Sequence, residues 1–103
     1  MKKISLTLPM GNDTTETRTG YFIPNWDGIR FVVVRDDTCG QKTWSVSQYD
    51  TGLKAGMVSS TRKGAITAFQ SRLQQLVKQF GEDHMKTSVR RVIGEYPVLN
   101  PST

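Results

Sequence analysis

The chain has 103 residues, of which 36% are hydrophobic and 22% charged, and its formal net charge is +5. This length fits one compact domain over 1–103 and excludes a second, while the composition excludes a disordered chain. The longest apolar run, Phe31 to Val34, is far too short to cross a bilayer, so no membrane segment is expected.

The N-terminal part of the chain predicts two strands separated by a loop. Apolar and polar residues alternate over 4–10, which favours a half-buried strand over a secretion signal, because polar residues interrupt the apolar core that a signal needs. The polar run 11–19 predicts an exposed loop. A short strand follows over 20–24, and Pro24 should end it because proline cannot donate to a strand ladder.

Three further strands are predicted before residue 60. Asp27-Gly28 predicts a hairpin turn, and the unbroken apolar centre of 29–35 predicts a central strand buried on both faces. Alternation then predicts a hairpin of strands 43–49 and 53–59. The inward stripe of this hairpin would consist of Trp44, Val46, Leu53, Ala55 and Met57.

The C-terminal part predicts two helices and a tail. A 3.6-residue apolar repeat predicts a long helix over 62–80, with an apolar face of Ile66, Phe69, Leu73, Leu76, Val77 and Phe80. Ser60 or Thr61 is expected to cap its start and Gly81 its end. A shorter helix is predicted over about 83–93, with Met85, Val89, Val92 and Ile93 on one face and Gly94 past its end. Residues 95–103 read as an extended tail with two prolines.

These elements predict an α+β fold. Four or five antiparallel strands would form one sheet, packed under one long helix, with a short C-terminal helix beside it. A helix of this length would span about 28 Å, enough to cover the face of a small sheet.

The sequence lacks the residue sets that enzymes and metal sites require. His84 is the only histidine and lies at a predicted helix start, where a solvated role is favoured over catalysis. Cys39 is the only cysteine, so no internal disulfide, no zinc site and no Cys–His nucleophile is expected. Asp36-Asp37 fits a turn better than a cation site. We therefore expect a non-enzymatic protein without cofactor or metal, located in a reducing cytoplasm.

The positive charge of the chain is concentrated in one region. No acidic residue lies between Thr51 and Gly81. Cations in the first turn of a helix oppose its dipole, yet free N–H groups, hydroxyls and cations together favour an anion such as a phosphate backbone. The candidate anion or nucleic-acid site therefore comprises Lys54, Ser60, Thr61, Arg62, Lys63, Arg72 and Lys78. The simpler reading of the same residues is a solvated surface.

Aromatic residues crowd the predicted sheet, and most of them are expected in the core. Phe31 and Trp44 fit a core role, since a domain of this size needs large side chains to fill its interior. Trp26 lies in a predicted loop and is the aromatic residue that we expect to be exposed and available to a partner.

The segment from Trp44 to Leu73 resembles short open reading frames of temperate phages and prophages of enterobacteria. In both, a Trp/Val-rich strand, a Thr-Gly turn, a second strand and a helix starting with a basic residue near Ala-Ile follow one another. The resemblance covers about a third of the chain and implies an accessory protein in the bacterial host cell that acts by binding.

Two functions follow from these features. The favoured one is binding of a host or phage protein, with the contact made by strand addition at an exposed edge strand or by the tail. An edge strand would also allow a homodimer. The alternative is a small basic nucleic-acid-binding protein that uses the surface of 53–59 and 62–80.

Overall fold

The computed structural model describes residues 2–11, 13–24, 26, 28–36, 40–56 and 58–101. The elements in chain order are β1 (Lys3–Pro9), β2 (Thr15–Phe22), β3 (Phe31–Asp36), β4 (Thr43–Gln48), α1 (Arg62–Phe80) and α2 (Glu82–Glu95). The four strands form one antiparallel sheet in the order β1-β2-β3-β4, which confirms the α+β class. Within the described residues, no helix is both long and apolar enough to span a membrane.

Strand β2 begins inside the stretch predicted to be a loop. The prediction of a loop over 11–19 is wrong from Thr15 onward, because β2 pairs with β1 along seven residues from Pro9↔Thr15 to Lys3↔Tyr21. Most side chains in the first half of β2 are exposed, so this strand carries no apolar alternation. Its threonines favour extended backbone, but pairing with β1 is what selects the strand.

Strand β3 occupies an inner position, as its apolar centre predicted. Val32, Val33 and Val34 are each 0% exposed, because both faces of the sheet are covered at this strand. One face belongs to a helix-side core of Ile23, Ile29, Phe31, Val33, Val46, Ala65 and Phe69. The other belongs to a second core of Leu6, Val32 and Val34, against which Ile4, Leu8 and Tyr49 pack.

The tight turn predicted before β3 is also present. The Trp26 N–H donates to the Ile29 carbonyl oxygen at 3.3 Å, and the Ile29 N–H donates to the Trp26 carbonyl oxygen at 3.0 Å. Gly28 has a φ of 82°, as a tight hairpin turn requires. Asp27 lies outside the described residues.

The predicted fifth strand, 53–59, is not a regular strand. It touches β4 through two isolated bridges, Ser47↔Lys54 and Trp44↔Ser59. Four residues separate the bridged positions on this segment, but only two separate them on β4, so a continuous ladder cannot form. The N–H groups of Ala55 and Gly56 both donate to the carbonyl oxygen of Val46 at this bulge.

The predicted inward stripe is correct in part. Val46 is buried, and Trp44 and Leu53 are half-buried, but Ala55 is exposed. Met57 lies outside the described residues.

Helix α1 has the predicted bounds, and α2 is longer than predicted. Thr61 caps α1 by accepting the Gly64 N–H at 2.9 Å. Gly81 alone joins the helices with a φ of 89°, and its N–H donates to the Val77 carbonyl oxygen. Gly94 lies inside α2 rather than past its end, and α2 stops at Glu95 because Pro97 disfavours a helical Tyr96. Phe80, assigned to the apolar face of α1, is 50% exposed.

The tail closes the fold instead of extending from it. The Asn100 side chain donates to the carbonyl oxygens of Thr7 and Tyr49, both at 2.8 Å, and accepts the Thr7 N–H at 2.6 Å. The N–H groups of Leu99 and Asn100 also donate to the Asp50 carbonyl oxygen. The sheet is therefore curled, so that its first strand meets the turn that follows its last strand.

Candidate functional site

Arg62, at the start of α1, has a structural partner in the sheet. Its guanidinium carbon lies 4.4 Å from the ring centroid of Tyr21 and 6.0 Å from that of Trp44. A cation over an aromatic face gains roughly 0.5–1 kcal/mol at an exposed site, about as much as the helix dipole costs it. The position of this arginine is thus accounted for without a bound anion.

The groups predicted to bind an anion at the helix start are partly used by the chain itself. The Thr61 hydroxyl accepts the Gly64 N–H, and the Ser59 hydroxyl accepts the Thr61 N–H at 3.4 Å. Ser60 and Lys63 are exposed. The helix start therefore offers an anion fewer free groups than the sequence predicts.

The remaining basic residues of the candidate site are divided between two surfaces. Lys54 and Arg72 line one cleft of about 490 Å³ together with Ser71 and Gln75, and we call this the basic cleft. At about 100° per residue, Lys63 lies on the opposite side of α1 from Arg72, and Lys78 lies about 120° away from it. Helix α1 carries no acidic residue. Of the candidate cations, Lys54 and Arg72 share this cleft, while Lys63 and Lys78 lie on other sides of the helix.

Trp26 is less available than predicted. It is half-buried and packs against the helix-side core, and the Lys86 ammonium lies 5.7 Å from its ring centroid. Trp26 is therefore half-buried where full exposure was expected, and its contact with a partner stays a prediction.

Strand addition meets occupied backbone over part of the sheet edges. On the outer edge of β1, Asn100 bonds both backbone groups of Thr7, and Pro9 has no N–H to offer. The outer edge of β4 is bonded to 53–59. These contacts confine strand addition on β1 to its first half, and contact with a partner or a second copy through that edge stays a prediction. The tail is not free at Leu99 and Asn100, since both are bonded to the rest of the fold.

The main apolar opening lies between the two helices and the chain that follows β4. We call it the inter-helix groove, and its volume is about 320 Å³. The two helices form most of the lining, and the remaining lining residues are Phe31, Gln48, Thr51, Leu53, Lys54 and Ala55. The helical residues of the groove are Phe69, Leu73, Leu76, Met85, Ser88, Val89, Val92 and Ile93. Of these, Val92 is 40% exposed, so apolar surface is open to a binding partner.

Two polar residues in the lining of the groove, Gln48 and Thr51, are already paired. The Gln48 amide nitrogen donates to the Asp50 carboxylate at 2.7 Å, and its oxygen accepts from the Thr51 N–H and hydroxyl, both at 2.9 Å. Asp50 is also paired with Arg30. An occupant would therefore be held by apolar contact within the groove and by the charges near it.

The sequence indicates the groove only in part. The spacing of Met85, Val89 and Val92 predicts one apolar face on the second helix, but an apolar face is ordinarily buried. Here α2 follows α1 after a single residue, and its contact with α1 leaves part of this face uncovered. No pattern in the sequence marks that gap.

Residues considered for catalysis do not gather in the described part of the chain. His84 is exposed, with its ring 5.9 Å from that of Phe80. Among the described residues, no group of three or more His, Cys, Asp or Glu side chains could hold a metal ion. Cys39 and Asp37 lie outside those residues.

No protein-family model matches the chain, and no characterised protein or solved structure matches it significantly. The resemblance of Trp44 to Leu73 to phage open reading frames stays a prediction. The geometry described above is therefore the basis for the functional proposal.

Proposed function

We propose that this chain is a non-enzymatic binding protein that holds a segment of a partner protein in the inter-helix groove. The observation that carries the proposal is the open apolar lining of that groove, in which the large apolar residue Val92 is 40% exposed. Full burial of one aliphatic side chain stabilises a complex by about 1.5–3 kcal/mol, so a few such contacts suffice for specific binding. From the phage-like segment, we further propose a host or phage protein in the bacterial cytoplasm as the partner.

Replacing Val92 with glutamate should weaken this binding about tenfold or more. The carboxylate would have to leave water when the partner closes over the groove, and burial of an unpaired charge is far costlier than loss of the valine methyl groups. Immobilised wild-type and variant chains would be incubated with enterobacterial lysate, and the retained proteins quantified by mass spectrometry. We expect at least one protein to be retained by the wild type and reduced about tenfold or more by Val92→Glu, which corresponds to about 1.4 kcal/mol or more.

The matched control is Val58→Glu. Val58 is 48% exposed, comparable to Val92, but it lies in the segment after β4 and does not line the groove. Circular dichroism would establish that both variants fold. Equal retention of every protein by Val92→Glu and the wild type, or retention by neither beyond bare resin, contradicts the proposal.

Nucleic-acid binding is the second candidate, and the basic cleft is the observation that favours it. Two cations meet there beside the hydrogen-bonding side chains of Ser71 and Gln75, on a helix without acidic residues. The two cations would contact phosphates of the nucleic acid. The neutralised phosphates would release their counterions, which makes the affinity strongly dependent on salt.

Charge reversal in the cleft tests this candidate. In gel shifts with single- and double-stranded DNA and RNA over a salt series, Lys54→Glu combined with Arg72→Glu should weaken binding much more than Lys63→Glu combined with Lys78→Glu. Both double variants have the same net charge, so the comparison isolates location. Equal weakening would assign any binding to overall charge, and absence of a shift at low salt would remove this candidate.

A further inference from the structure

The inter-helix groove and the basic cleft are adjacent. Lys54, Ala55 and Phe69 line both, so one occupant can contact the two openings at once. Apolar side chains and two cations are thus presented to the same occupant, side by side.

The two cations are available to a ligand. Lys54 and Arg72 are both exposed, and neither forms an ion pair within the part of the chain that the structure describes. No acidic residue lies on α1 to compete for them. An acidic group placed in the cleft would therefore meet uncompensated positive charge.

The size of the groove limits what enters it. A volume of about 320 Å³ is at the lower end of the range of roughly 300–1,000 Å³ found for ligand pockets. It accommodates one or two large apolar side chains rather than a long helix.

We propose that the occupant is a short acidic segment of the partner protein, with an apolar anchor in the inter-helix groove and a neighbouring carboxylate between Lys54 and Arg72. This inference rests on the proposed function and adds the chemistry of the segment. Arginine can hold the carboxylate with two parallel hydrogen bonds, while the lysine acts as a point charge. A nucleic acid would use the cations but gain nothing from the apolar lining.

Three synthetic peptides serve as probes. The first has the sequence Glu-Glu-Leu-Phe-Glu-Glu. In the second, every glutamate of the first is replaced with glutamine. In the third, the Leu-Phe pair of the first is replaced with Gly-Ser. Each would be titrated into ¹⁵N-labelled protein at low salt and followed by NMR. We expect the first to bind about tenfold more tightly than the second, with shifts centred on Leu73, Val89 and Val92, and the third to bind least. The advantage of the first peptide should shrink as salt rises.

The cation variants locate the charge preference. In Lys54→Gln combined with Arg72→Gln, the glutamate and glutamine peptides should bind equally, while Lys63→Gln combined with Lys78→Gln should keep the tenfold difference. Equal binding of both peptides to the wild type, or the same preference in both double variants, overturns the inference. If the Gly-Ser peptide bound as tightly as the first peptide, the apolar anchor would contribute nothing to binding, and the inference would also be overturned.

The inference and the proposed function fail separately. Suppose that a lysate protein is lost by Val92→Glu but retained by the double variant Lys54→Gln with Arg72→Gln. This result would support the groove as the binding site and would reject the acidic segment as its occupant. Loss of no protein in Val92→Glu would reject the groove itself.

Discussion

Replacing Asn100 with leucine is expected to lower the free energy of unfolding by about 2–4 kcal/mol, because it leaves three part-buried backbone groups without partners. The amide of Asn100 bonds the N–H and carbonyl oxygen of Thr7 and the carbonyl oxygen of Tyr49. Leucine has a similar size but offers no donor or acceptor. Asn100 itself is 6% exposed, so water cannot readily replace its side chain.

Urea denaturation followed by tryptophan fluorescence would measure this change. The control is Val98→Ala, on the same tail, where the side chain is 58% exposed and a change within about 0.5 kcal/mol is expected. If Asn100→Leu were as stable as Val98→Ala, the tail would not hold β1 against the turn after β4.

Replacing Gly52 with alanine is expected to destabilise the fold by about 2–5 kcal/mol, the sum of a conformational and a steric cost. Gly52 has a φ of 72°, in the left-handed region that L-residues avoid. A Cβ at this position would lie 2.5 Å from the Thr7 carbonyl oxygen and 2.9 Å from Cδ of Pro9. Relief would require β1 to move away from the turn.

Gly28→Ala separates the two costs, since Gly28 has a similar φ of 82° but an alanine Cβ there would meet no atom within 4 Å beyond its chain neighbours. We expect this control to lose about 1–2 kcal/mol, the conformational part alone. Thermal unfolding of both variants would give the difference. Equal losses would show that β1 does not approach the turn closely enough for contact.

The elements that the sequence predicted well are those whose signal is local. The apolar repeat over 62–80 and the cap residue Thr61 determine α1, and the apolar centre of β3 determines its burial on both faces. Strand β2 was missed in its first half because its exposed threonines carry no apolar alternation, and its partner β1 supplies the reason for the strand. The prediction of a fifth strand was wrong because the segment 53–59 bulges between its two bridges to β4, and the spacing of those bridges depends on tertiary contacts.

The candidate site followed the same division. No acidic residue lies between Thr51 and Gly81, and α1 falls within this stretch, so the helix carries none. The sequence did not predict which of the cations lie together. In the structure, Arg62 lies over the ring of Tyr21, while Lys54 and Arg72 line the same cleft. Full exposure was expected for Trp26 because nothing near it in sequence predicts that it packs against the helix-side core.

Periodicity and composition were enough to establish the α+β class, the long amphipathic helix, the doubly buried strand and the location of the positive charge, because each depends on residues within a few turns of one another. Contacts between distant parts of the chain were needed to show that the tail returns to β1 through Asn100, that residues 53–59 bond the outer edge of β4 and that an apolar groove stays open beside Lys54. These features join residues up to 93 positions apart, and a contact at that separation leaves no periodic trace in the chain.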